Sequence, residues 1–280
     1  MPTEPLIRVE KMSFAYRPGV DVIHDIDLTI DPGEFTAIIG NNGSGKSTLM
    51  KLILGLLKPT RGRITVGGID TRTAKVSDMA RRIGFIFQEP NEQLFANSVE
   101  EEVRFGLRNL DLTAEEVESR VNETLDLFGL QPLREVFPRF LARGDKQKVC
   151  IAAIVAMHPQ IILLDEPTTG QDHRDSRKIM ELAETLNARG ITVLLVTHDM
   201  PNVAQYARRV ILLNDGVLVK RAATLEVLAD PALMQSCSLV PPQIARLGLA
   251  MQPLGLQPAL KVQEMAAQLA HWLDQRQASA

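Results

Sequence analysis

Aromatic side chains are scarce: phenylalanine, tyrosine and tryptophan together make up 4% of these 280 residues, with one tryptophan and two tyrosines. Cysteine is scarcer, with only Cys150 and Cys237. Two thiols so far apart argue against a disulfide framework and against a paired-cysteine metal motif. There is no basic excess, since the formal net charge is −3, and so no electrostatic reason to expect nucleic acid as the main partner. No apolar run approaches the roughly 18 residues needed to span a bilayer. The opening Met-Pro-Thr-Glu-Pro has no basic segment leading into an apolar core, so no secretory signal is read there. What is present is 45% hydrophobic residues and a mean hydropathy near zero, the composition of a soluble globular protein. The length suits one large domain, or one domain with a small appendage. The expected location is the cytoplasm, with any membrane role reached through partners.

The most informative stretch is Gly40-Asn41-Asn42-Gly43-Ser44-Gly45-Lys46-Ser47-Thr48. It follows a short apolar run, Phe35-Thr36-Ala37-Ile38-Ile39, and precedes a helical pattern of Leu49, Leu52, Ile53 and Leu56. Strand, glycine-rich loop, then helix is the context in which G-x-x-x-x-G-K-[ST] marks a phosphate site. The glycines let successive backbone N–H groups turn toward an oxyanion, and the helix N-terminus adds the positive end of its dipole. Lys46 is suited to the β/γ-phosphates and the Ser47 hydroxyl to Mg²⁺. The chain is expected to bind a nucleoside triphosphate.

Ahead of this loop, residues 6–30 alternate apolar and polar side chains around Arg17-Pro18-Gly19, the pattern of an antiparallel β unit. Tyr16 falls at its turn, where position alone leaves open packing or stacking on a nucleotide base. Farther on, Ile83 to Gln88 reads as a buried strand ending in a polar amide. Residues from about 98 to 158 are helical in pattern and interrupt the β/α alternation, as an inserted helical subdomain would. Ile161-Ile162-Leu163-Leu164-Asp165-Glu166 is continuously apolar, hence a central parallel strand buried on both faces, and it ends in two carboxylates. Such groups are costly to bury unless they meet a cation or a proton-transfer task. Beside the phosphate loop, Asp165 would hold the Mg²⁺ shell and Glu166 would polarise the attacking water. A further buried strand, 191–196, leads to Thr197-His198-Asp199, which puts His198 at the same sheet edge as a sensor of the γ-phosphate. His24, His158, His173 and His271 have no such placement and are read as structural. After a hairpin over 209–220, the proline-bearing tail ends in a helix with Val262, Met265, Leu269, Trp272 and Leu273 on one stripe. That stripe either packs on its own domain or docks another subunit.

With these motifs in order, residues 5–225 resemble the nucleotide-binding subunit of ABC transporters. The resemblance implies an α/β fold: a P-loop NTPase core with an antiparallel β subdomain, the inserted helical subdomain and a small C-terminal extension. The ATPase domain would cover residues 1–225 and the extension 226–280. In that family the loop at 40–48 is the Walker A motif, Gln88 is the Q-loop glutamine that reaches the metal, and Leu164-Asp165-Glu166-Pro167 is Walker B. His198 is the switch histidine, Tyr16 the base-stacking aromatic, and Asp172 belongs to the D-loop. A narrower likeness is visible in Phe87 to Phe95, with its extra glutamine Gln93, in Val99 to Gly106, and in Leu239-Val240-Pro241-Pro242-Gln243-Ile244. These stretches look like the ATPases of energy-coupling-factor importers, which take up vitamins or transition-metal ions. The likeness implies ATP and Mg²⁺ as cofactors. The implied partners are a second ABC ATPase, a transmembrane scaffold and a substrate-binding membrane subunit, with the chain peripheral at the cytoplasmic face of the membrane and no nucleic acid involved. Substrate choice in such importers resides in a membrane subunit, so this chain does not name the cargo.

One departure stands out. Where the family has Leu-Ser-Gly-Gly-Gln, this chain has Leu141-Ala142-Arg143-Gly144-Asp145. The signature presents a helix N-terminus and a hydroxyl to the γ-phosphate bound on the opposite subunit, and Ala142 has no hydroxyl. Arg143 either returns charge stabilisation by reaching the phosphate or points into solvent, and Asp145 adds an unhelpful negative charge. A heterodimer is therefore expected, in which the site built on this chain's own P-loop hydrolyses ATP faster. A homodimer with two equally weakened sites stands beside it. The rival class is a soluble ABC ATPase acting in DNA repair or translation. The chain shows neither a long coiled-coil insertion between its Walker motifs nor a second cassette.

Overall fold

The computed structural model describes residues 4–278. Two long strands, β1 (Ile7–Arg17) and β2 (Val20–Ile30), pair antiparallel across Pro18-Gly19. Then come β3 (Phe35–Ile39), α1 (Lys46–Ile53), β4 (Arg61–Val66), the two-residue β5 (Ile69–Asp70), α2 (Val76–Ala80) and β6 (Ile83–Ile86). Three helices interrupt the strands: α3 (Val99–Leu107), α4 (Ala114–Leu127) and α5 (Arg143–Val155). Alternation resumes with β7 (Ile161–Asp165), α6 (His173–Ala188), β8 (Thr192–Val196), α7 (Met200–Tyr206), β9 (Arg209–Asn214) and β10 (Val217–Ala223). The chain continues through α8 (Thr224–Leu228), α9 (Pro231–Ser236), α10 (Gln243–Met251) and α11 (Val262–Ala278).

The strands form two sheets. The smaller, β2-β1-β4-β5, is antiparallel; the larger runs β10-β9-β3-β8-β7-β6 and is parallel except for the β9–β10 hairpin. Period-2 geometry explains the continuously apolar strands. From β3, Ala37 and Ile39 enter one core while Ile38 enters the other; β7 divides in the same way, with Ile162 and Leu164 against Ile161 and Leu163. The first core lies under α3 to α6, and the second joins the large sheet to α1 and the antiparallel sheet. Each buried Leu or Ile contributes about 1.5–3 kcal/mol, and it is this two-sided burial that holds the C-terminal strand ends in one fixed row.

Two expectations are corrected at element ends. Strand β6 stops at Ile86, so Phe87 and Gln88 lie beyond it in an exposed loop. Pro90 starts a 3₁₀ turn there, and proline cannot donate to a ladder. On α11, Met265 is buried and Leu269 and Trp272 pack beside it, whereas Val262 and Leu273 are exposed. The partner surface of α11 is narrow: Leu256, Ala259, Ile244 and Met251. This small core is separate from the other two, yet Val227, Leu228, Met234 and Cys237 of the same tail belong to the main one. The tail from residue 226 thus packs partly on the main core and partly on itself.

Candidate functional site

Because β3, β8, β7 and β6 are parallel neighbours, their C-terminal ends deliver the phosphate loop, Thr197-His198, Asp165-Glu166 and Gln88 to one edge. That edge is where open α/β sheets bind ligands. The loop is shaped by close approach. A Cβ on Gly40 would meet the Leu213 carbonyl oxygen at 2.2 Å, and one on Gly45, whose φ is +98°, would meet Ile23 Cδ1 at 2.5 Å. Gly45 also caps α1 without a side-chain hydrogen bond, so the first N–H groups of that helix stay available to an anion. Ser98, Thr113 and Asp172, by contrast, cap α3, α4 and α6 with their own side chains.

Lys46 is half-buried and donates to the carbonyl oxygens of Gly40 at 2.7 Å and Asn41 at 2.8 Å. Burial pulls its ammonium below the usual lysine range, against the charges of Glu166 and Asp165. A phosphate that displaces these two carbonyls offers the ammonium full charge in return. Asn42, Gly43 and Ser47 are exposed, whereas Ser44 and Thr48 are buried. Tyr16 is 57% exposed; its ring edge meets Phe14 at a centroid separation of 4.8 Å and its hydroxyl lies 3.3 Å from Thr48 Oγ1. Its ring is thus both tethered to the loop and open on one face.

Asp165 ends β7, and its carboxyl is pushed above the usual range, first by burial and second by the charge of Glu166, with Lys46 and Lys51 opposing. An aspartate that feels the charges of a second carboxylate and of Lys46, with Ser47 exposed next to that lysine, offers hard oxygen donors of the kind that suit a divalent cation. Glu166 sits at φ +48°, and its N–H bonds to the Val196 carbonyl at 2.9 Å. That uncommon backbone turns the side chain into a ring of donors. Oε1 faces His198 Nδ1 at 2.8 Å, while Oε2 accepts from the hydroxyls of Thr169 at 3.2 Å and Thr197 at 3.4 Å. The histidine side chain is 70% exposed, the glutamate only 15%. Neither threonine was assigned a role from sequence. Thr169 carried a readable signal, since a polar residue three positions after Glu166, in a turn closed by Thr169 N–H to Glu166 C=O, returns its hydroxyl to the carboxylate.

The altered signature departs from both readings of Arg143. Its guanidinium turns back onto its own chain, donating through Nη1 to Glu89 Oε2 at 3.1 Å and through Nη2 to the Thr169 carbonyl at 3.3 Å. Ala142 caps α5 without a side-chain hydrogen bond, so the N-terminus of that helix remains open. Gly144 is buried, where a Cβ would lie 2.8 Å from Asp175 Oδ2 of α6. Asp145 is paired with Lys148 at 2.9 Å, which offsets the charge it brings. Asp172 caps α6, accepting from the Asp175 N–H at 2.8 Å. Gln88 is exposed on the loop after β6. Gln93 ties that loop down: its oxygen accepts from Phe87 N–H and its amide donates to the Cys150 carbonyl of α5, each at 3.4 Å. Cys150 is inert, because burial foremost pushes its thiol up to about 12.

Comparison with known proteins gives this geometry relatives. Residues 23–169 match the model of the ABC transporter family. The energy-coupling factor transporter ATP-binding protein EcfA of Methanothermobacter thermautotrophicus is 36% identical over 272 residues, spanning 96% of this chain and 88% of that protein. Among solved structures, cbiO1 from Clostridium perfringens, part of the ABC transporter complex cbiONQ, superposes with a TM-score of 0.77. It is 33% identical, with 89% of this chain and 99% of that one covered. A dimeric post-hydrolysis state of the ATP-binding cassette MJ0796, bound to ADP and Pi, gives a TM-score of 0.68 at 31% identity, covering 78% and 98% of the two chains. The chain spans less than half the length of several other curated relatives it matches, 42% in a putative ABC transporter ATP-binding protein from Methanosarcina mazei.

Proposed function

Because the chain belongs to the ABC transporter family of ATP-binding proteins, we propose that it is the ATP-hydrolysing subunit of an energy-coupling-factor importer. The observation that carries this reading is the meeting of Lys46, Asp165, Glu166 and His198 at one sheet edge, with Glu166 held at 2.8 Å from His198. In this reading the triphosphate lies along the loop from Gly40 to Thr48, with its base on the open face of Tyr16. Lys46 leaves the Gly40 and Asn41 carbonyls and stabilises charge on the β/γ-phosphates. Ser47, Asp165 and Gln88 would hold Mg²⁺, which when bound neutralises phosphate charge. Glu166 orients the attacking water and draws its proton, with its two oxygens aimed by His198, Thr169 and Thr197. His198 contacts the γ-phosphate with its exposed face.

Two such cassettes would close head to tail, each lending the N-terminus of its α5, with residues 142–145, to the nucleotide on the other. Among the described residues no helix is long and apolar enough to cross a membrane; in this reading a membrane scaffold and a substrate-binding subunit supply the transmembrane parts. The exposed rings of Phe87, Phe95, Phe105 and Phe140, around Gln88 and the helical insertion, suit contact with that scaffold. The cargo class, a vitamin or a transition-metal ion, follows the relatives alone. The test is to tag this chain in its native cell, isolate it from gently solubilised membranes and assay what co-purifies. Recovery with a membrane scaffold, a small membrane subunit and ATPase activity is expected; recovery with ribosomes or DNA-repair proteins instead removes the importer. In the same preparation Lys46→Ala should lower ATP affinity by tenfold or more, about the effect of one charge-assisted contact. Unchanged ATP binding by that variant refutes the phosphate-site assignment.

A further inference from the structure

Five residues, Asn91, Glu89, Arg143, Thr169 and Glu166, are joined by hydrogen bonds in one line that passes through the Thr169 backbone carbonyl. Asn91 Nδ2 donates to Glu89 Oε1 at 2.9 Å, and Glu89 Oε2 accepts from Arg143 Nη1 at 3.1 Å. Arg143 Nη2 donates to the Thr169 carbonyl at 3.3 Å, and the Thr169 hydroxyl donates to Glu166 Oε2 at 3.2 Å. The guanidinium lies against Gly170, where a Cβ would come within 3.4 Å of Arg143 Cζ and where φ is +73°. The contact itself would tolerate a Cβ; it is the positive φ that favours glycine there. Arg143 Nε is buried without a protein partner, so the side chain is held through its two amino groups alone.

Resting on the reading of Glu166 as the hydrolytic carboxylate, we infer that Arg143 is a positioning residue for Glu166 of its own chain. It fixes the 166–170 turn through the Thr169 carbonyl, and that turn aims the hydroxyl which sets the angle of the carboxylate. Glu89 anchors the other prong beside Gln88. Arg143 sits at the start of α5, in the segment lent to the opposite nucleotide, whereas Glu166 serves the nucleotide on its own loop. The arginine therefore joins two composite sites inside one polypeptide. A lysine cannot reproduce it, because a single ammonium on a flexible stem does not supply two fixed, divergent prongs.

The experiment measures steady-state ATP hydrolysis by the complex isolated on a tag on this chain, carrying Arg143→Ala, Arg143→Lys, Thr169→Val, the Arg143→Ala/Thr169→Val pair, Glu89→Gln or Glu166→Gln. Arg143→Ala and Thr169→Val should each lower kcat roughly tenfold with KM for ATP changed less than about twofold, the split expected when a group acts on the hydrolytic step rather than on binding. The pair should be no worse than the single variants, since both act on the same carboxylate. Arg143→Lys should restore little, and Glu89→Gln should lower kcat about threefold. Multiplied losses of about a hundredfold in the pair would mean that Arg143 acts elsewhere, at the lent site, and would overturn the inference. Wild-type kcat in Arg143→Ala would overturn it too; if that variant does not fold, wild-type kcat in folded Glu89→Gln would do so. Loss of turnover in Glu166→Gln beside a normal Arg143→Ala removes the positioning role alone. Retained turnover in Glu166→Gln removes both it and the catalytic reading.

Discussion

Glu166 and Asp165 are adjacent carboxylates with opposite surroundings. Glu166 faces three side-chain donors, while at Asp165 burial and then the neighbouring carboxylate outweigh Lys46 and Lys51 and push its carboxyl up. The native pKa of Asp165 lies above its unfolded value, so its contribution to stability is complete below the unfolded value and is lost as pH rises through the native one. At neutral pH the nucleotide-free protein therefore carries a penalty there. Asp165→Asn should melt at a higher temperature than the wild type at pH 7 without nucleotide, and the gain should shrink on acidification. Melting curves from pH 3 to 8 test this, and a variant that melts lower at pH 7 refutes it. The same variant should lose the stabilisation by ATP with Mg²⁺ that the wild type gains, because a site built to receive a cation is strained without one.

At the scale of elements, the inserted helices are held by a charged lattice. Glu100 of α3 accepts from Arg134 at 2.6 Å and is paired with Arg104 one turn on; Glu118 of α4 meets Arg104 at 2.6 Å and Arg134 at 3.0 Å. The guanidinium of Arg134, then that of Arg104, holds the Glu100 carboxyl down to about 2 from an ordinary 4.5. Its native pKa lies below the unfolded one, so its stabilisation is present above about 4.5 and is lost as pH falls toward 2. Glu100→Gln should cost about 1 kcal/mol at pH 7, the upper range for a partly exposed pair, and nothing near pH 2. Chemical denaturation at both values checks it; an equal cost at both would mean packing rather than charge. This lattice was not legible in the sequence, where the acidic runs of 98–118 look like a solvated face, because Arg134 arrives from 34 residues beyond Glu100. The strands were legible for the converse reason. Each apolar run is a local pattern, and burial on both faces removes the alternation that would otherwise mark it. The phosphate loop was equally local, whereas the inward turn of Arg143 depends on Glu89 and Thr169, 54 and 26 residues away.

For the whole molecule, if two cassettes close head to tail as proposed, the uneven halves of the site would decide how they share the work. In that arrangement the nucleotide on this chain's own loop would be served by Lys46, Asp165, Glu166 and His198, which meet at one sheet edge. The α5 N-terminus offered to the opposite nucleotide lacks a hydroxyl at Ala142, and its arginine is engaged within its own chain. Loss of one hydrogen bond to a charged oxygen costs about 1.5–3 kcal/mol, which is roughly a 10- to 100-fold slower hydrolytic step at the site receiving this signature. If the second cassette is a different chain with an intact signature, turnover is concentrated on the loop of Gly40 to Thr48. Glu166→Gln in this chain should then remove about nine-tenths or more of the ATPase activity of the assembled complex. The equivalent change in the other cassette should remove less than half. ATP binding should survive both, because the carboxylate acts on water and not on the phosphate chain. Equal losses from the two substitutions would refute the asymmetry and favour two cassettes weakened alike, as in a pair of identical chains. Retention of most activity after Glu166→Gln would refute the asymmetry too, and with it the reading of Glu166 as the carboxylate on which turnover depends.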